Sequence, residues 1–224
     1  MPLLYTIGKL TVGNGMLLGW RPTIEGAEYI PASGGAIFAS NHLSVADELF
    51  LGAAVPRHLA FWAKAEYFRG RGFRGWLTKT VLAGLGAIPV ERGGGRAALA
   101  AFDSAIPVLR SGDLVAIYPE GTRSPDGRLY RGRTGVARLA LAAEVPIIPV
   151  GVIGTREIQP IGARIPRPGG PVTIRFGKPM TFVGWPDDHG SLRQITDEVM
   201  AEIQRLSGQE YVGRYAPRRT ADPA

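Results

Sequence analysis

No cysteine occurs anywhere in this chain of 224 residues. Thiol catalysis is therefore excluded, while the lack of cysteine is neutral as to compartment. No G-x-S-x-G stretch occurs either, so there is no nucleophile elbow of the hydrolase kind. Histidine is scarce. Of the three, His58 and His189 stand far in sequence from any second pair of ligands, which leaves no readable metal site and no expectation of a cofactor. Uninterrupted apolar runs of the ~20 residues needed to cross hydrocarbon are also missing. Acidic residues are the minority among the charges, 19 against 26 Lys and Arg. The formal charge of +7 implies a negatively charged partner: nucleic acid, an anionic membrane surface, or phosphorylated and CoA-type ligands.

What is present suits a single α/β domain, a mixed, mainly parallel sheet flanked by helices. Residues 1–22 are an apolar segment in which Leu3, Leu4, Ile7, Leu10, Leu17 and Leu18 are interrupted by Lys9 and by Gly13-Asn14-Gly15. The segment reads as a pair of interfacial or docking helices, or as a helix packed on the domain's own core. It lacks the charged end and clean cleavage site of a signal peptide. Residues 23–206 form the domain proper, and 207–224 a basic tail expected to be poorly ordered. Within the domain, buried strands are predicted around 36–39, 59–63, 87–90, 113–118, 145–152 and 172–176, and helices after Ser44 and over 96–109, 134–143 and 188–206. Pro107 predicts a kinked or shortened helix, and Pro146 with Pro149 an edge or irregular strand, because each proline removes a backbone donor.

Between Phe68 and Lys79 four cations interleave with Phe68, Phe73, Trp76 and Leu77, a mixture that suits the headgroup layer of an anionic bilayer. The G-x-G-x-x-G formed by Gly70, Gly72 and Gly75 follows no predicted strand, which rules out dinucleotide binding. The aromatics also lack the alternation of a sheet-borne stacking surface, so nucleic acid ranks below membrane contact and is not expected as a partner.

Chemistry concentrates in Asn41-His42-Leu43-Ser44-Val45-Ala46-Asp47, between a predicted strand and a predicted helix. Ser44 is placed to N-cap that helix, with Asp47 and Glu48 in its first turn. Asp47 can then fold back onto one imidazole nitrogen of His42, which makes His42 an oriented general base for a substrate hydroxyl. The same spacing also suits a His and an Asp that merely cap the helix. Downstream, Pro119-Glu120-Gly121-Thr122-Arg123 follows the clearest buried strand. Thr122 and backbone amides can donate to phosphate oxygens, and Arg123 can bind phosphate in bidentate fashion. Glu120 cannot, and is expected to hold an arginine in place. Arg128, Arg131 and Arg133 arrive beside the same loop, without sequence choosing among them.

Read with three further blocks in the same order, this stretch resembles the glycerolipid acyltransferase family, typified by 1-acylglycerol-3-phosphate (lysophosphatidic acid) acyltransferases. The blocks are Asn41-His42 with Asp47, Gly86-Ala87-Ile88-Pro89-Val90-Glu91-Arg92, Tyr118-Pro119-Glu120-Gly121-Thr122-Arg123-Ser124, and Val145-Pro146-Ile147-Ile148-Pro149-Val150, and the similarity spans about residues 23–180. The resemblance implies transfer of a fatty acyl group from acyl-CoA or an acyl carrier protein to a lysophospholipid hydroxyl, 1-acylglycerol-3-phosphate first among acceptors. It further implies a peripheral or monotopic protein at the cytoplasmic face of the cell membrane. His42 would be the base, Asp47 its orienting partner and Lys64 a support for the oxyanion. Asn41, Arg92, Glu120, Gly121, Thr122 and Arg123 would line the substrate site. Lys64 also reads as a surface lysine, and Arg92 as an ordinary ion pair. The same chemistry on glycerol-3-phosphate or a head-grouped lysophospholipid, and a non-catalytic membrane scaffold, stand as alternatives.

Overall fold

The strands are β1 (Thr23–Glu25), β2 (Ala36–Ser40), β3 (Leu59–Lys64), β4 (Ala87–Val90), β5 (Leu114–Ile117), β6 (Leu129–Tyr130), β7 (Ile147–Ile153), β8 (Thr173–Phe176) and β9 (Tyr211–Val212). The structure is a computed structural model that describes residues 3–73, 75–76, 79–80, 87–90, 95–163 and 165–217. Among these, the main sheet runs β1-β8-β7-β2-β5-β3-β4, with every neighbouring pair parallel except β7 and β8. The helices are α1 (Leu3–Gly8), α2 (Asn14–Trp20), α3 (Ala46–Ala54), α4 (Gly95–Arg110), α5 (Gly135–Ala143), α6 (Thr155–Ile158) and α7 (His189–Ser207).

Alternate residues of a strand face opposite sides of the sheet, and the core divides accordingly. Ile37 and Ala39 of β2 join Val115, Ile117 and Ile147 under α4, α5 and α7, where Val136, Leu139, Ile195, Val199 and Ile203 are buried. Ala36 and Phe38 join Leu114, Ala116, Ile148 and Val150 under α2 and α3, with Met16, Phe50 and Leu51. The five buried apolar positions expected of the last helix, from Leu192 to Leu206, all face the core. Because β7, β2, β5, β3 and β4 run parallel, their carboxyl ends share one edge of the sheet, where α/β proteins bind ligands.

Three expectations are corrected. The helix α4, found where expected, is not shortened at Pro107 but continues to Arg110. The strand β7 lies between β8 and β2, not at an edge. Pro146 precedes the strand, and Pro149 lies just beyond the last β8 pair, Val150 with Phe176, where its carbonyl accepts from the Gly177 amide at 2.8 Å. The missing proline donor thus falls where β8 has already ended. The tail is also ordered through residue 217: β9 pairs in parallel with β6, and the Arg131 amide donates to the Arg214 carbonyl at 3.0 Å.

The amino-terminal segment stays helical from Leu3 to Trp20, because a π-helical turn over Lys9–Gly13 carries the chain through its Gly13-Asn14-Gly15 interruption. Tyr5, Gly13 and Met16 are buried. The Tyr5 hydroxyl donates to the Arg57 carbonyl and accepts from the Leu59 amide, each at 3.1 Å, and Lys9 Nζ donates to the Val55 carbonyl. Leu3, Leu4, Ile7, Leu10, Val12 and Leu18 remain exposed. Among the described residues, no helix is long and apolar enough to cross a membrane.

Candidate active site

His42 follows the carboxyl end of central β2, and its backbone is pinned on both sides. Its amide donates to Glu120 Oε1 at 3.1 Å, and its carbonyl accepts from the Ser124 amide at 2.7 Å. One residue earlier, Asn41 Nδ2 donates to the Val152 carbonyl at 2.8 Å and Asn41 Oδ1 accepts from the Val152 amide at 2.7 Å. The turn that carries His42 is therefore fastened to the strand on one side of β2 and to the loop after the strand on the other.

Asp47, fully buried in the first turn of α3, folds back as its spacing predicts. Its Oδ2 accepts from the Leu43 amide at 2.6 Å and the Ser44 amide at 2.8 Å, and meets His42 Nδ1 at 2.9 Å. Two amides already donate to this oxygen, so it acts as an acceptor, and the imidazole meets it as a donor. The neutral ring then carries its proton on Nδ1 and its lone pair on Nε2, the tautomer a general base needs. Ser44, expected as the N-cap, sits one place before it: Val45 flanks the helix, and the Ser44 hydroxyl accepts from the Ala46 amide and donates to the Gln159 carbonyl.

The imidazole lies on the Tyr118 ring, with centroids 3.9 Å apart and planes inclined by 17°. Asp47 thus fixes one edge of the ring and Tyr118 its plane. Burial pushes the Glu48 carboxyl up to about 7, against the pull of His42 and Arg123. Burial likewise pushes Glu120 up to about 7, opposed by the amides of Tyr130 and His42. The Tyr118 hydroxyl is held well above its ordinary range by burial and by the nearby carboxylates of Glu48 and Asp47. Tyr118 therefore stays protonated and the two carboxyls take up protons as pH falls through neutrality, which limits the negative charge crowded around His42.

Block three forms the facing loop. Gly121 adopts a φ of 74°, a left-handed conformation that favours glycine, and its amide donates to the Tyr118 carbonyl at 2.9 Å. Thr122 and Arg123, partly exposed, follow on the same loop. Arg128 is committed to Asp126, with contacts of 2.7 and 2.9 Å, and reaches Glu210. The backbone of Lys64 closes β3 at the same edge. Its side chain, and Arg92 altogether, lie outside the described residues.

Two assigned residues have other tasks. Asn41 is buried and spends its amide group on Val152, and Glu120, 1% exposed, divides its two oxygens between the amides of His42 and Tyr130. Each polar side-chain atom named here already has a backbone partner that belongs to the turn or to its neighbours. Both are struts that fix His42. Sequence reading missed Tyr118 as the platform under the imidazole. Its signal was its place at the end of the strand paired with β2, one residue beyond the Ala39–Ile117 pair.

Comparison with known proteins bears on the same residues. The acyltransferase family model matches residues 21–153, from just after α2 through β7. This chain belongs to the acyltransferase family. A chloroplastic 1-acyl-sn-glycerol-3-phosphate acyltransferase of Arabidopsis thaliana is 29% identical over 175 residues, covering 78% of this chain and 48% of that protein. One from Limnanthes douglasii is 31% identical over 187 residues, covering 82% and 62%. The chain thus spans about half to three-fifths of the length of those relatives. The crystal structure of the 1-acyl-sn-glycerophosphate (LPA) acyltransferase PlsC from Thermotoga maritima superposes with a TM-score of 0.69 at 27% identity, covering 91% of this chain and 79% of that one. The mostly parallel sheet flanked by helices is therefore the fold of this chain and of that enzyme.

Proposed function

We propose that this protein transfers a fatty acyl group from an acyl thioester to the free hydroxyl of 1-acylglycerol-3-phosphate, giving phosphatidic acid. The observation that carries the reading is the imidazole of His42, held at Nδ1 by a buried carboxylate that also accepts two backbone amides. Nε2 removes the proton of the acceptor hydroxyl as that oxygen attacks the thioester carbonyl carbon. Asp47 stabilises the imidazolium that forms. Collapse of the tetrahedral species breaks the carbon–sulfur bond, and the leaving thiolate takes the proton from Nε2. A thioester is already activated, so no covalent enzyme intermediate is needed.

Arg123, Thr122 and the Gly121 amide, with Arg92, would grip the acceptor's phosphate, and Lys64 would support the oxyanion. Two features support work at a membrane surface. One is the exposed apolar side of the amino-terminal helix, opposite its Tyr5 and Met16 anchors. The other is the stacked, exposed pair Phe73 and Trp76, 5.9 Å between centroids, in a segment that also holds Arg69, Arg71 and Lys79. On this reading the protein sits peripherally on the cytoplasmic face of an anionic bilayer, where both long-chain substrates reside.

The test is acyl transfer by purified protein from long-chain acyl-CoA, and separately from acyl carrier protein, to lysophosphatidic acid, glycerol-3-phosphate and head-grouped lysophospholipids. Products are identified by mass spectrometry. Phosphatidic acid from lysophosphatidic acid is expected. A product from another acceptor alone would move the reading to that acceptor. Binding to anionic vesicles with no turnover of either thioester would replace it with a scaffold.

A further inference from the structure

We infer that Arg133 is a further phosphate-binding residue of this site and that Tyr215, carried by the segment after α7, is the positioning residue that holds it there. The inference rests on the phosphate-bearing acceptor proposed above.

Three basic residues enter the loop beside block three, and their surroundings differ. Arg128 is taken up by Asp126 and Glu210. Arg133 is joined to block three itself: its amide donates to the Pro119 carbonyl at 2.8 Å, and its side chain lies on Gly121. A Cβ at Gly121 would stand 3.1 Å from Arg133 Nε and 3.3 Å from its Cδ. Gly121 neighbours Glu120, whose carboxylate holds the His42 amide, so the exposed Arg133 side chain crosses the loop that also bears Thr122 and Arg123.

Long exposed arginines do not hold one position without a partner, and here the partner comes from far along the chain. After α7 ends at Gly208, the segment turns back over residues 127–133. Gln209 Nε2 donates to the Gly127 carbonyl at 2.6 Å, the Leu129 amide to the Glu210 carbonyl at 2.9 Å, and the Arg131 amide to the Arg214 carbonyl at 3.0 Å. That strap delivers Tyr215, whose ring centroid lies 5.1 Å from Arg133 Cζ and 5.6 Å from Arg131 Cζ. Both distances are within cation–π reach. Among the described residues, neither Arg131 nor Arg133 forms an ion pair with a carboxylate. Two guanidinium groups on one aromatic ring, with Arg123 on the adjoining loop, form a positive cluster that an acceptor phosphate would neutralise.

The experiment is a double-mutant cycle on the full chain. Steady-state constants are measured with acyl-CoA as donor and either lysophosphatidic acid or an uncharged monoacylglycerol as acceptor. Arg133→Ala is expected to raise the KM for lysophosphatidic acid about tenfold. Tyr215→Leu should raise it about three- to fivefold, with kcat and the donor KM steady. Tyr215→Phe, which keeps the ring, should retain the wild-type constants. In the Arg133→Ala background, Tyr215→Leu should change the acceptor KM less than about twofold, because the group it positions is gone. Both changes should shift the KM for monoacylglycerol, which carries no phosphate, less than the KM for lysophosphatidic acid. Multiplicative effects, a Tyr215→Phe variant as impaired as Tyr215→Leu, or a joint fall in kcat and melting temperature without a KM effect would each overturn the inference. A wild type that does not prefer the phosphate-bearing acceptor would remove the functional reading and the inference with it. A wild type that does, with variants that do not couple, would remove the inference alone.

Discussion

Replacing Asp47 with Asn separates the electrostatic part of the His42–Asp47 pair from its geometric part. The amide carbonyl of Asn can occupy the Oδ2 position and still accept from Leu43, Ser44 and His42 Nδ1, so the turn keeps its hydrogen bonds. The new NH2 then falls at the Oδ1 position, which is buried and has no partner, at a stability cost of about 1–3 kcal/mol. What disappears is the negative charge facing the imidazolium. With charge centres about 4 Å apart and an effective permittivity near 20, that interaction is worth about 4 kcal/mol. It is felt only once His42 has taken the proton, so it comes off transition-state stabilisation and predicts about a thousandfold lower kcat. The assay is thiol release from acyl-CoA in the presence of lysophosphatidic acid, with thermal unfolding recorded alongside. A folded Asp47→Asn protein with kcat within about threefold of wild type would refute the pairing as a catalytic device.

Three other outcomes follow from the same structure. Arg123→Ala should raise the KM for a phosphate-bearing acceptor about tenfold while leaving the donor KM near wild type, and equal effects on both would remove the assigned role. Asn41→Ala strands the buried amide and carbonyl of Val152, costing about 3 kcal/mol and lowering the melting temperature by roughly 6–12 °C, whereas an acceptor KM effect with unchanged melting would restore Asn41 to substrate binding. Glu48 has a folded-state pKa raised to about 7, so the folded protein binds more protons than the unfolded chain between about pH 4.5 and 7. Its contribution to stability therefore falls as pH rises through that window, by about 1–3 kcal/mol in all, and Glu48→Gln should flatten the decline in denaturant titrations at pH 5, 6, 7 and 8. A slope unchanged in the variant would show that Glu48 is not a source of the decline.

What was legible in the sequence was local. His42 and Asp47 lie five residues apart, and helix geometry alone suffices to fold one onto the other. The unbroken apolar runs of β2 and β5 and the apolar spacing of α7 are likewise readable from the local sequence. What was not legible depends on sheet order. Asn41 finds Val152 across 111 positions because β7 lies beside β2, and Glu120 finds Tyr130 because the loop after β5 doubles back; neither partner is marked by spacing. Pro146 and Pro149 pointed to an edge strand because proline removes donors. The donor lost at Pro149 lies beyond the last pair of a short neighbour, which only the β7–β8 register reveals. The tail reads as poorly ordered from its polarity, yet its order comes from hydrogen bonds to the backbone of residues 127–131, to which composition is blind.

The central claim is that His42 takes the acceptor's proton, and the most direct measurement is the single-turnover rate of acyl transfer to lysophosphatidic acid by wild type and His42→Ala under saturating substrates. The backbone amide and carbonyl of His42 stay held by Glu120 and Ser124, and Asp47 keeps the Leu43 and Ser44 amides, so the variant should still fold. The account predicts a rate lower by a factor on the order of 100 or more. A folded His42→Ala protein that transfers the acyl group at near-normal rate would contradict it.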